Sequence, residues 1–224
     1  MTDLIGSEID RFLAEKAREM TRRGCLIFAL DATASRHETW DMACQLQAQM
    51  FREVAGIGSL DVQLVYYRGP QGHPDGECRA SRWYDSPAYL TKAMSSIVCR
   101  AGYTQIARVL AHARQEATRS KVNALVFVGD ACEESRDALI QPATDLGRLG
   151  VPAFMLQEGH DSRVERVFRE IAQVTKGAYL RFNTGAAAQL AELLRAIALF
   201  AVAGPTALEG RGNAAQLLLV QMRR

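Results

Sequence analysis

The chain has 224 residues, of which 48% are hydrophobic and 23% charged, and its formal net charge is +2. These proportions are those of an ordinary globular protein, which excludes a disordered, collagen-like or coiled-coil chain. At about 100–200 residues per domain, the length predicts one domain with at most an appendage. The charge is too nearly balanced to supply the positive field of sequence-independent nucleic-acid binding, so we expect no nucleic-acid partner.

The N-terminus and the cysteines predict the compartment. The opening segment carries acids where a secretory signal would carry bases and an apolar block, and no apolar run approaches the ~20 residues that span a bilayer. We therefore expect a cytoplasmic protein without a membrane partner. The five cysteines are odd in number and lack C-x-x-C or zinc-type histidine spacing, so we expect reduced thiols in or near the core.

Hydrophobic periodicity places an amphipathic helix first, over about Leu4 to Arg22, on the outside of the main domain. Cys25 to Leu30 is apolar throughout, which is typical of a strand buried on both faces. A helix from about Trp40 to Val54 and a strand over Asp61 to Tyr67 follow. The glycine- and proline-rich segment after them predicts a hairpin into a half-exposed edge strand over Glu77 to Tyr84.

Predicted helices and strands continue to alternate in the second half of the chain. The remaining helices are predicted over Pro87–Cys99, Thr104–Ala117, Asp137–Leu149, Val164–Thr175 and Ala186–Ala201, and the remaining strands over Val122–Val128, Pro152–Leu156 and Ala178–Phe182. This order predicts an α/β class: a doubly wound, mostly parallel six-stranded sheet with one antiparallel edge strand and helices on both faces.

We divide the chain into three parts. These are an N-terminal amphipathic helix over 1–23, an α/β domain over 24–203 and a C-terminal tail over 204–224. The tail is rich in helix breakers up to residue 213 and ends in a compact apolar run, Gln216 to Met222. Such a run docks on its own domain or contacts a partner chain.

Polar side chains follow the two most apolar strands, at the sheet edge where open α/β folds bind ligands. Asp31, Thr33 and Ser35 occupy alternate positions after the first strand, and Asp130 follows Gly129 after the strand over 122–128. Thr104 adds a third hydroxyl at the start of a helix. Hard oxygen ligands that converge on one point suit Mg²⁺ or Mn²⁺.

The order Asp31-x-Thr33-x-Ser35, then Gly102-x-Thr104, then Gly129-Asp130 resembles the metal-ion-dependent adhesion site of von Willebrand factor type A (VWA) domains. The resemblance covers about residues 24–203. It implies a doubly wound fold with a divalent cation at the top of the sheet. It also implies that the three hydroxyls ligate the metal and that the two acids act directly or through water.

The resemblance further implies a function without catalysis. In such domains a carboxylate from another protein commonly fills the open coordination position. We therefore expect a Mg²⁺- or Mn²⁺-dependent protein-interaction module whose partner presents an acidic side chain. Because no signal peptide is evident, we expect the intracellular, bacterial type, an adaptor in a multi-protein complex.

Two other interpretations stay open at this stage. Ser35 with Glu38, Thr104 and Asp130 are each placed to cap a helix. Alternatively, Asp31 is the nucleophile of a Mg²⁺-dependent phosphoryl-transfer enzyme of haloacid-dehalogenase type, with Asp130 and Glu134 downstream. That chemistry needs a second acid two residues after the nucleophile, where this chain has Thr33.

Overall fold

The computed structural model describes residues 23–69, 77–183 and 186–223, so the predicted N-terminal helix lies outside the described residues. Within them, six strands form one sheet with helices on both faces. The strands are β1 (Arg23–Asp31), β2 (Ser59–Arg68), β3 (Glu77–Tyr84), β4 (Ala124–Gly129), β5 (Ala153–Glu158) and β6 (Ala178–Phe182). The α-helices are α1 (His37–Val54), α2 (Pro87–Ser95), α3 (Ile106–Arg119), α4 (Arg136–Arg148), α5 (Ser162–Val174), α6 (Ala187–Ala203) and α7 (Asn213–Met222).

The strand order is β3-β2-β1-β4-β5-β6, and every neighbouring pair is parallel except β2 and β3, which are antiparallel. This confirms the predicted fold class. The chain runs outward from β1 to β2 on one side and returns to β4 on the other. The order therefore reverses between β1 and β4, which is where doubly wound sheets bind ligands.

The side chains of β1 show why the sheet is covered on both faces. Leu26, Phe28 and Leu30 belong to the core shared with α1, α2, α6 and α7. Ile27 and Ala29, which alternate with them, belong to the core shared with α3, α4 and α5. A strand with two buried faces must be apolar at every position, which is the pattern that the sequence carries.

The loop between α2 and α3 is longer than the prediction allowed. Helix α2 ends at Ser95 rather than Cys99, and α3 begins at Ile106 rather than Thr104. The irregular segment between them is held by tertiary hydrogen bonds: the Arg100 N–H donates to the Ala32 carbonyl at 2.9 Å. Periodicity alone does not register such contacts, so the prediction extended both helices into this loop.

The C-terminal helix α7 packs on α6 and covers the outer edge of β6. Leu218 is fully buried, and the Gln221 side chain accepts from the Tyr179 N–H at 2.9 Å and donates to the Tyr179 carbonyl at 2.6 Å. The amide group of Gln221 thus takes the place of a neighbouring strand at that residue. This contact protects a sheet edge that would otherwise be free to pair.

All five cysteines are free and partly buried. Burial raises the pKa of Cys44, Cys78 and Cys132 to about 11. Among the described helices, none has the length and apolarity that crossing a bilayer requires.

The thiol pKa values predict slow thiol chemistry. At pH 8 a thiol of pKa about 11 is only about one part in a thousand thiolate, the reactive form. We expect Cys44, Cys78 and Cys132 to react with a disulfide reagent such as DTNB far more slowly in the native protein than in guanidinium. Fast reaction of all five thiols in the native protein contradicts this packing.

Helix α7 offers a matched pair of leucines. Leu218 is fully buried whereas Leu217 is 51% exposed. We expect Leu218→Ala to lower the free energy of unfolding by about 2–5 kcal/mol, and Leu217→Ala to change it by less than about 0.5 kcal/mol, in urea denaturation. Equal effects of the two substitutions contradict the docking of α7.

Candidate metal site

The loop after β1 brings an acid and two hydroxyls together. The Asp31 Oδ1 accepts a hydrogen bond from the Thr33 N–H at 2.7 Å, and the Thr33 and Ser35 hydroxyl oxygens lie 3.3 Å apart. Thr33 is buried and Ser35 is exposed. Asp31 is only 2% exposed, so its carboxylate is buried rather than open to solvent. The hydrogen bond from the Thr33 N–H turns the loop back toward this carboxylate.

Thr104 is placed by a close approach of two backbone segments. A Cβ on Gly102 would lie 2.3 Å from the Gly69 carbonyl oxygen, so only glycine fits there. Next to Thr104, the fully buried Gln105 side chain donates to the Gly69 carbonyl at 3.3 Å. These contacts fix the loop before α3 against the end of β2. The Thr104 side chain is buried, with 2% of its surface exposed.

The loop after β4 holds Thr104 in place with two hydrogen bonds. The Glu133 N–H donates to the Thr104 hydroxyl at 3.0 Å, and the Thr104 N–H donates to the Glu133 carboxylate at 2.8 Å. The Glu134 carboxylate accepts from the backbone N–H groups of Ile106 and Ala107. An acid from another loop thus caps the first turn of α3, where helix amides lack partners.

Asp130 belongs to the same loop and lies beside β1. Leu30 pairs with Val128, so the ends of β1 and β4 are level and Asp130 follows one residue beyond Gly129. The capping interpretation of Asp130 is wrong, because Ser135 caps α4 by accepting from the Ala138 N–H. Thr104 is also not the cap of α3, whose first amides bond to Glu134.

Acidic groups accumulate at this end of the sheet. The Tyr67 phenol is fully buried, and its pKa is raised well above the ordinary value by burial first and then by Asp31, with smaller effects of Glu134 and Asp130. Burial also raises the pKa of Glu134, while hydrogen bonds from Ala107, Ile106 and Thr104 oppose the increase. Three carboxyl groups around one neutral phenol form a region that a cation stabilises.

A cleft of about 300 Å³ opens beside the candidate site. Ser35 and Asp130 line it, so two of the five predicted ligands face a space that another molecule can enter. Its far wall includes Glu158 at the end of β5, whose carboxylate accepts from the Thr39 hydroxyl. The cleft gives access to the candidate site from solvent.

The donor set fits a hard divalent cation. A hydroxyl has one proton and two lone pairs. Thr104 accepts from the Glu133 N–H and its side chain hydrogen-bonds to Glu134, which leaves a lone pair for a cation. The 3.3 Å between the Thr33 and Ser35 oxygens is close to the ~2.9 Å edge of an octahedron with ligands at 2.0–2.1 Å. In the described part of the chain no three His, Cys, Asp or Glu side chains cluster in a way that could hold a metal ion.

The structure adds residues that the motif did not include. Glu133 and Glu134 hold Thr104 and α3, and the Tyr67 phenol on β2 responds electrostatically to Asp31, Glu134 and Asp130. Glu134 entered our sequence analysis only as part of the phosphoryl-transfer alternative. The only sequence signal for Glu133 and Glu134 was that two consecutive acids follow Gly129-Asp130. Their hydrogen bonds join residues 27–29 positions apart along the chain, so local sequence patterns do not reveal these roles.

Sequence comparison gives no relative: no family model matches the chain, and no curated protein matches it. Solved structures do match. The pilus adhesin SpaC from Lactobacillus rhamnosus GG, in an open conformation, superposes with a TM-score of 0.61 at 10% identity, over 80% of this chain and 30% of that chain. A von Willebrand factor type A protein from Catenulispora acidiphila gives 0.57 at 16% identity, over 79% and 42% respectively.

The VWA domain of SpRpn10 superposes with a TM-score of 0.57 at 10% identity, over 75% of this chain and 94% of that domain. The chain therefore spans less than half of the adhesin and of the Catenulispora protein but nearly a whole VWA domain. Identities this low establish the fold alone. The chain has the VWA fold.

Proposed function

We propose that this chain is a non-enzymatic, divalent-metal-dependent protein-interaction module. Asp31, Thr33, Ser35, Thr104 and Asp130 hold Mg²⁺, or Mn²⁺ in its place. The bound ion supplies a Lewis-acidic coordination position that a carboxylate of another protein fills. The module itself needs no base and no nucleophile.

One observation carries this proposal: three separate loops are hydrogen-bonded to one another around the predicted ligands. The first loop accepts from Arg100 of the second loop through the Ala32 carbonyl, and Thr104 of the second loop exchanges two hydrogen bonds with Glu133 of the third. Helix caps alone do not require this arrangement. Ligands held in place before the ion binds lower the cost of ordering them.

The acidic partner follows from the ligand preference of the ion rather than from residual charge. Asp31 and Asp130 formally balance a divalent cation, but a hard cation prefers oxygen ligands, so a partner's carboxylate displaces water from the hydroxyl-rich shell. The cleft beside Ser35 and Asp130 is the path by which the partner's side chain enters. Neighbours of the same fold include an adhesin and the human COPII-coat protein Sec24c, which supports an interaction role.

We further propose that the module acts in the cytoplasm as an adaptor within a multi-protein complex. Five free, partly buried cysteines support a reducing compartment, because cytosolic proteins keep thiols reduced.

The phosphoryl-transfer alternative receives no support from the comparisons. Haloacid-dehalogenase chemistry needs an acid where Thr33 lies, and the Thr33 hydroxyl faces Ser35 instead of an acid. We therefore do not assign Asp31 the role of a nucleophile.

Titration of the ion tests the metal site. We expect saturable binding of Mg²⁺ and Mn²⁺ to chelator-stripped protein in calorimetry, and its loss in Asp31→Ala and Thr104→Ala, because each removes an oxygen ligand. Thr118→Ala is the matched control, since this hydroxyl is exposed and, among the described residues, bonds only to the Gln115 carbonyl on α3.

Two results would contradict the proposal. Metal binding that is absent, or unchanged in both ligand variants, contradicts the assigned site. Metal-dependent turnover of p-nitrophenyl phosphate that disappears in Asp31→Ala supports the enzyme instead. Circular dichroism of each variant verifies that the loss does not come from unfolding.

Glu134 provides a second test, because it touches Thr104 without being an assigned ligand. We expect Glu134→Gln to weaken Mg²⁺ binding about tenfold and to cost about 1 kcal/mol of stability, since the amide keeps the size but loses charge and one acceptor oxygen. Glu165→Gln on α5, which breaks an ion pair with Arg169, is the control. Unchanged metal affinity alongside the stability loss would show that Glu134 only caps α3.

A further inference from the structure

A second open cavity lies on the flank of the domain, between β3 and the helices α3 and α4. Its volume is about 800 Å³. Val65, Cys78 and Ala80 form an apolar floor on the sheet, and solvent-facing residues of α3 with the C-terminal end of α4 form the opposite wall. None of the five predicted metal ligands lines it.

The lining of this cavity is strongly basic. Four arginines line it against a single acid; they are Arg79, Arg108, Arg114 and Arg148, and the acid is Asp145. Within the described residues, Arg79 pairs with Glu77, whereas Arg108 donates to the neutral Gln105 side chain and has no ion pair. A surplus of guanidinium groups beside an apolar floor favours an anionic ligand with an apolar part.

Two arginines of this cavity bind a carboxylate of the chain itself, that of Asp145. The two Asp145 carboxylate oxygens accept from different arginines, Arg114 at 3.3 Å and Arg148 at 3.2 Å. Arg114 and Arg148 come from different helices and are held at the cavity wall by this shared acid. Guanidinium groups spaced along a wall match carboxylates spaced along a chain.

The free edge of the sheet borders the same cavity. Strand β3 ends the sheet, and in the described part of the chain only β2 pairs with it. Cys78, Arg79 and Ala80 are consecutive and all line the cavity, although successive side chains of a strand point to opposite faces. The cavity therefore reaches around the strand edge. Gln221 covers the edge of β6, whereas within residues 23–69, 77–183 and 186–223 only β2 pairs with β3, and an edge strand presents backbone groups that another strand can pair with.

We propose that this groove binds an extended acidic segment of a partner polypeptide, which adds to β3 as a further strand and places its carboxylates against the arginines. Main-chain pairing gives affinity and alternate side chains give selectivity in this mode of recognition. A phosphorylated small molecule would use the arginines but not the strand edge, so the two features together favour a peptide. The proposal does not depend on the metal site.

Fluorescence anisotropy with a labelled peptide of alternating Glu and Val, eight residues long, tests this site in the full chain. In an extended conformation this peptide presents every carboxylate on one face. We expect saturable binding at low salt that weakens as salt rises and persists in chelator. Arg108→Gln and Arg148→Gln should each weaken it about fivefold, the factor that corresponds to one exposed charge pair. Arg52→Gln, on the opposite face of the sheet, is the matched control and should leave it unchanged.

Four comparison ligands decide between the possible sources of binding, and one of them, a single-stranded oligonucleotide, should bind more weakly than the Glu-Val peptide. The Lys-Val peptide of equal length should not bind. A Glu-Val peptide with alternate backbone amides N-methylated should bind at least tenfold more weakly, because it cannot pair with a strand. Inorganic phosphate should not displace the probe beyond the effect of its ionic strength. Absent binding, equal binding of the methylated peptide, specific displacement by phosphate, or an equal affinity for a single-stranded oligonucleotide would each overturn the proposal.

Discussion

The buried carboxyl group of Asp31 determines how the loops are arranged at the carboxyl ends of the parallel strands. It is 2% exposed at the end of a central strand, and a buried carboxylate is costly unless hydrogen bonds or a cation stabilise it. The Thr33 N–H supplies one such bond and thereby folds the first loop back over the strand. The carboxyl groups of Asp130 and Glu134 add to the effect of burial and Asp31 in raising the pKa of the Tyr67 phenol. The structure thus concentrates acidic groups at the point where the strand order reverses, which is where our proposal places the divalent cation.

Hydrogen bonds between the loop after β4 and the loop before α3 hold these loops in place around the acidic groups. Glu134 caps α3 from the loop after β4, and the Thr104 and Glu133 groups bond reciprocally. In our account the ion and the partner's carboxylate act on this shared structure, so binding of either one is expected to strengthen binding of the other.

The sequence predicted the sheet well, because strands buried on both faces are apolar at every position. The strands β1 and β4 were therefore evident, and the edge strand β3 was predicted with the bounds that the structure has. The five metal ligands stay a prediction: Asp31, Thr33, Ser35 and Asp130 lie at or just after strand ends, and Thr104 precedes a helix. The burial of Asp31, the roles of Glu133 and Tyr67, and the start of α3 at Ile106 depend on contacts between distant segments, which periodicity does not encode. The basic groove beside β3 likewise arises only when α3, α4 and the sheet edge meet.

The most direct test of the central claim is the position of a bound ion. A crystal grown with Mn²⁺, measured at the manganese absorption edge, locates the metal by its anomalous scattering without reference to any assumed ligand. Our account predicts one strong peak among the oxygens of Asp31, Thr33, Ser35, Thr104 and Asp130, next to the cleft lined by Ser35 and Asp130. A crystal soaked to saturation that shows no peak there, or a peak coordinated by other residues, contradicts it.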